Sequence, residues 1–107
     1  MPFKLKKNDT SPILQTTITD AANNAVDLTG SSVRFHMKRY GASTAKVDAA
    51  ATIYDEENGI VRYAWQSSDT DTGGSFIGEF EVTYSDGTIE TFPNSGYIQI
   101  DVLDDIT

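Results

Sequence analysis

The chain has 107 residues, no cysteine, eight basic against sixteen acidic residues, and a formal charge of -8 with a pI near 4.3. That length fits one domain, taken as residues 1–107, with a modest core that buries about 60–70% of the unfolded surface. Without cysteine there are no disulfides and no thiolate metal sites, and the acidic balance argues against nucleic acid and anionic membranes, both of which reward clustered Lys and Arg.

From the N-terminus, Met1-Pro-Phe-Lys-Leu-Lys-Lys-Asn8 carries charge but no apolar run, so it does not read as a signal peptide. No window approaches the about 20 apolar residues of a membrane span, and the expectation is a chain made in the cytoplasm and soluble there. Phe3 and Leu5 alternate with Lys4 and Lys6, which predicts a strand within an arm over residues 1–10. Such a strand either pairs with its own sheet or swaps onto a neighbouring copy. Seven of the eight basic residues lie between Lys4 and Lys46, and thirteen of the sixteen acids between Asp48 and Asp105.

Ile13 to Thr19 is rich in β-branched residues and ends at the turn cluster Asp20-Ala-Ala-Asn-Asn24. Ser32 to Lys38 sets Val33, Phe35 and Met37 on one face and Arg34, His36 and Lys38 on the other. After a loop at Gly41-Ala-Ser-Thr44, a strand from Val47 to Tyr54 is expected to meet Ile60 to Trp65 across Asp55-Glu-Glu-Asn-Gly59, with Val61, Tyr63 and Trp65 on one face. Phe76, Gly78, Phe80, Val82 and Tyr84 alternate with polar neighbours up to Asp86-Gly87, which predicts a two-residue type I′ hairpin. In that register Ser85 faces Thr88, Tyr84 faces Ile89 and Val82 faces Thr91. Tyr97 to Val102 closes the series, with Ile98, Ile100 and Val102 towards the core.

No segment has a long 3.6-residue period, so seven or eight short strands in an antiparallel β-sandwich are predicted. Its expected core is Ile13, Ile18, Leu28, Val33, Phe35, Val61, Tyr63, Trp65, Phe76, Phe80, Val82, Ile98 and Ile100. The run Asp71-Thr-Gly-Gly-Ser-Phe76 resembles the Asp-x-Gly-x-Tyr corner of immunoglobulin-like sandwiches, with Gly74 inserted and Phe76 in place of the tyrosine. The fold expected is therefore an immunoglobulin-like sandwich.

Chemistry-bearing residues are sparse. His36 is the one histidine and alternates with Arg34 and Lys38 on an outward face, so it reads as a surface residue rather than a catalytic base or zinc ligand. Asp69-Thr-Asp-Thr-Gly-Gly74 begins like a calcium loop, yet the fifth and twelfth positions are Gly73 and Phe80 where an EF-hand needs ligands. A looser calcium site at Asp69 and Asp71 stays open beside the plainer reading of a polar turn. Glu79 and Glu81 point the same way from one strand, about 6.5–7 Å apart by the strand rise, and read as a solvated face. Neither a catalytic set nor a cofactor is expected. Candidate interface residues are Tyr40, Tyr54, Phe92 and Tyr97, at strand ends or beside loops, with Phe3 and Leu5 of the arm. The four aromatics serve equally well as caps on the sandwich core.

Read together, Asn8-Asp-Thr-Ser-Pro12, Val26 to Met37, Val47 to Ile53, Asn58 to Tyr63, Asp69 to Gly74, Glu79 to Tyr84 and Thr91-Phe-Pro93 form a series that resembles the N-terminal domain of phage baseplate upper proteins. The likeness runs from about Phe3 to Val102. It implies an immunoglobulin-like sandwich in a virion, an adaptor joining tail or baseplate components with no catalytic residues. Its partners would be other virion proteins, with several copies or a homo-oligomer. In longer proteins of this kind further domains follow, whereas this sequence ends at Asp104-Asp-Ile-Thr107, which puts direct attachment of a receptor-binding protein in doubt. The other readings are a capsid decoration protein, a carbohydrate or host-surface module anchored by Tyr40, Tyr54, Trp65 and the Asp69/Asp71 turn, and a small hydrolase using Glu79 or Glu81.

Overall fold

The computed structural model describes residues 2–106, which form nine strands and one 3-10 turn at Ser67–Asp69. In chain order the strands are β1 (Phe3–Lys6), β2 (Leu14–Thr17), β3 (Ser32–Arg39), β4 (Val47–Ala50), β5 (Thr52–Asp55), β6 (Ile60–Tyr63), β7 (Gly74–Thr83), β8 (Ile89–Phe92) and β9 (Ile98–Leu103). A large six-stranded sheet has the order β1-β9-β7-β3-β4, with β8 also on β7, and a small sheet has the order β2-β6-β5. The expected all-β, two-sheet architecture is present, with nine strands rather than seven or eight.

The alternation in β7 makes it the spine of the large sheet. Its inward Phe76, Gly78, Phe80 and Val82 are buried, and it pairs along its whole length with β3, from Ser32 opposite Thr83 to Arg39 opposite Phe76. The other edge of β7 is shared, β9 taking the stretch from Gly74 and β8 the stretch from Phe80. The predicted arm strand adds to its own sheet as β1, with Phe3 opposite Ile100 and Leu5 opposite Val102, and this pairing is parallel in an otherwise antiparallel structure. Leu5 is thereby drawn into the core.

Three expectations require correction. The single strand expected from Val47 to Tyr54 is two: β4 pairs with β3 in the large sheet, and β5 pairs with β6 in the small one. The chain changes sheets at Ala51, whose N–H still bonds the Val33 carbonyl at 2.9 Å. A period of two reports which side chains are buried, and both sheets bury theirs towards the same interior, so the crossing leaves no mark on the pattern.

The β7–β8 hairpin is shifted by one residue from the type I′ register. Gly87 N–H donates to the Tyr84 carbonyl at 2.9 Å and Tyr84 N–H to the Thr88 carbonyl at 2.8 Å, so the loop is Ser85-Asp86-Gly87 with Gly87 at φ +88°. This is a three-residue loop whose left-handed position falls to glycine. The Asp86 carboxylate braces it, accepting from the Thr88 N–H at 2.9 Å and the Thr88 hydroxyl at 2.6 Å. Thr83 therefore faces Ile89 and Phe80 faces Phe92. One step of register exchanges the faces: Ile89 is 62% exposed and Phe92 only 2%.

Ile13 is 47% exposed, and Leu14 takes the buried place expected for it. The β-branched run around it has no polar alternation to set the phase. The other expected core residues are buried except Ile98, which is partly so and packs on the cluster. Trp65 sits between the sheets, edge-on to Phe35 at 5.7 Å and to Tyr63 at 5.3 Å between ring centroids, with Phe3 at 6.0 Å.

Candidate functional site

The outer face of the large sheet carries a row of cross-strand polar contacts centred on Asp48. Arg34 on β3 reaches Asp48 on β4 with its Nε and Nη2, each 3.0 Å from Oδ1, and Nη2 also donates to the Asp48 carbonyl at 2.9 Å. That guanidinium, more than any other neighbour, holds the Asp48 carboxyl below the usual carboxylate range. His36 stands between strands, with Nε2 3.2 Å from Asp48 and Nδ1 3.5 Å from Glu79 on β7. Both ring nitrogens face carboxylates, one on each neighbouring strand. His36, Asp48 and Glu79 line an open groove of about 480 Å³ that reaches from the β3–β4 loop to Tyr97.

The aspartate turn is built from separate partnerships. Asp69 is buried and accepts from the Tyr63 hydroxyl at 2.5 Å and the Gln66 N–H at 2.9 Å, which caps the 3-10 turn. Burial, reinforced by Asp69, pushes the Tyr63 hydroxyl well above the ordinary tyrosine range. Asp71 instead takes Lys46 Nζ at 2.6 Å and the Thr72 hydroxyl at 3.0 Å, and Lys46 is the main reason its carboxyl is held low. Phe76 carries no hydroxyl for the corner-like run, but Tyr63 on β6 supplies one to Asp69 from the facing sheet. Gly74 has its own reason: at φ +148°, an added Cβ would lie 2.3 Å from Arg39 Nη1. Arg39 covers the Phe76 ring at 5.2 Å and donates to the Gly73 carbonyl at 3.1 Å. Among the described residues no group of three or more His, Cys, Asp or Glu is placed to hold a metal ion.

The candidate interface residues divide into two sets. Leu5 and Phe92 are buried and Phe3 packs against the core, so these side chains are committed to the interior of the chain itself. Tyr40, Tyr54 and Tyr97 are 75%, 58% and 60% exposed. Tyr97 lines the groove on the large sheet and Tyr40 follows β3.

Tyr54 lies on the small sheet and has a partner that sequence reading did not find. The Arg62 guanidinium of β6 stacks over its ring, 3.5 Å from the centroid, while Arg62 Nε donates to Gln15 Oε1 of β2 at 2.7 Å. Gln15, Arg62 and Tyr54 thus form a rung across all three strands. The one signal in the sequence was that Arg62 is the sole basic residue after Lys46. Its cross-strand neighbours depend on register, which the sequence alone left open.

The family model described as the BppU N-terminal domain matches residues 3–95, from β1 into the β8–β9 loop. Among solved structures the fold is similar to that of CopC from Methylosinus trichosporium OB3b, with a TM-score of 0.55 over 99% of this chain and 87% of that one. The two are 14% identical, so the likeness is one of fold. No curated protein matches the sequence.

Proposed function

The chain belongs to the family of the baseplate upper protein N-terminal domain, and from that membership we propose that it is a non-enzymatic structural part of a phage virion, an adaptor that joins tail or baseplate components. The observation that carries this reading is the family match across residues 3–95. The side-chain chemistry agrees with it. His36 and Asp48 contact each other across the strands, and Asp69 and Asp71 are each engaged by a neighbouring side chain. Adaptors match the symmetry of what they bind, so the chain acts in several copies alongside other virion proteins. The carbohydrate-module reading loses its best stacking platform, because Trp65 lies inside the core.

The test is the composition of purified particles. Mass spectrometry should find the protein in intact virions, and gold-labelled antibody should mark the tail or its tip. Label over the head moves the assignment to capsid decoration, and particles without the protein end the structural reading.

A further inference from the structure

The two sheets turn different chemistry outward. All four of the ion pairs among the described residues lie on the large sheet or join its β3–β4 loop to the Asp71 turn, and none involves the small sheet. On the small sheet the outward positions are Gln15 and Thr17 of β2, Ile60 and Arg62 of β6, and Thr52 and Tyr54 of β5. The one carboxylate on these strands, Asp55, folds back onto the β5–β6 turn, where it accepts from the Asn58 side chain at 2.9 Å. A chain of charge -8 therefore has a sheet face whose only outward charge is a single guanidinium. Tyr and Arg present with Asp, Glu and Lys absent is the composition of an interface centre.

We propose that this outer face of the small sheet is where the chain docks on a different protein of the virion, which supplies a carboxylate to Arg62 over a contact centred on Tyr54. The proposal rests on the virion reading above and specifies the surface and the partner's chemistry. Arg62 is held in place by Gln15 through Nε and by the Tyr54 ring beneath it, so little side-chain freedom remains to be lost on binding. The Nη1 and Nη2 donors have no acceptor among the described residues, and they form the fork that takes a carboxylate in bidentate fashion. A two-fold pairing of the face with itself brings no carboxylate to Arg62, because the face has none to give. A carboxylate at the centre of the contact therefore comes from a surface other than this one.

The test uses phage particles assembled with variants in place of the wild-type chain, each variant first shown to unfold at the wild-type temperature. Incorporation is measured by quantitative mass spectrometry of purified virions. Arg62→Glu should reduce incorporation about tenfold or more, Arg62→Gln and Tyr54→Ser should reduce it less, and Ile89→Ser on the large sheet should match wild type. A photoreactive p-benzoylphenylalanine at position 54 should cross-link to a different virion protein next to an Asp or Glu, whose replacement by Lys restores the Arg62→Glu variant. Wild type present with Arg62→Glu equally incorporated overturns the docking face and leaves the virion role standing. Cross-linking to a second copy of this chain overturns the assignment of the partner. Wild type absent from particles removes the virion role and the docking face together.

Discussion

The outer faces of the two sheets were built from the same alternating pattern and ended with opposite electrostatics. On the large sheet Arg34 meets Asp48 across neighbouring strands and His36 stands between Asp48 and Glu79. Cross-strand pairs of this kind add modestly to sheet stability and leave little field at the surface. On the small sheet Arg62 has an aromatic and an amide for neighbours and keeps its charge unanswered. The large sheet sets both signs of charge side by side on its outer face, whereas the small sheet orders one guanidinium with no carboxylate beside it.

The largest effect should come from removing what both faces stand on. Trp65→Ala empties the space between Phe35, Tyr63 and Phe3 and should cost about 3–5 kcal/mol in urea or thermal unfolding, enough to dissolve the comparison by unfolding the chain. A loss below about 1 kcal/mol would show that the sheets are held apart by other contacts. Next comes the aspartate turn that follows β6 and leads into β7. Tyr63→Phe leaves the buried Asp69 carboxylate without its hydroxyl donor and should cost about 1–3 kcal/mol. A double-mutant cycle with Asp69→Asn should show strong coupling, and independent effects would refute the pairing.

The ion-pair row makes a pH prediction specific to the large sheet. The folded pKa of Asp48 is lowered, chiefly by Arg34, so its contribution to stability is complete above the unfolded value of about 3.9 and is lost as pH falls through the lower folded value. Between pH 5 and pH 2 the melting temperature of wild type should therefore fall more steeply than that of Asp48→Asn. Arg62→Ala should retain the wild-type slope, since its face holds no carboxylate pair. Equal slopes for wild type and Asp48→Asn would sink the account of the row. The smallest effect is on the other face at neutral pH, where Arg62→Ala should change stability by no more than about 0.5 kcal/mol. A cost of several times that would make Arg62 a structural residue and remove the contrast with the large sheet.

Much of the fold was legible in the chain. Alternation in Ser32 to Lys38 and in Phe76 to Tyr84 identified the buried rows of β3 and β7, because a strand half buried on one side must repeat every two residues. Turn chemistry located the β5–β6 and β7–β8 connections, but Asp86-Gly87 serves a two-residue and a three-residue loop alike, and the difference reversed the fates of Ile89 and Phe92. The change of sheet at Ala51 was silent for a related reason: the inward residues on either side bury into one interior. Of the candidate interface residues, Tyr40, Tyr54 and Tyr97 are exposed, while Leu5 is drawn inside by a pairing with β9 that spans most of the chain and Phe92 by the register of the β7–β8 hairpin.

By itself the sequence determined that the chain folds as strands, that Trp65, Phe35 and Phe80 lie inside, that no cysteine chemistry occurs, and that the pieces from Asn8 to Pro93 form a family pattern. These follow from composition and from periods of a few residues, which are local properties. Only the tertiary structure decided that Gln15, Arg62 and Tyr54 meet, that His36 is hemmed in by two carboxylates, and that Arg34 pairs with a carboxylate while Arg62 does not. Those outcomes depend on register and strand order between segments 8 to 47 residues apart. A charge pattern along the chain becomes a charge pattern on a surface only when the pairing between strands is set.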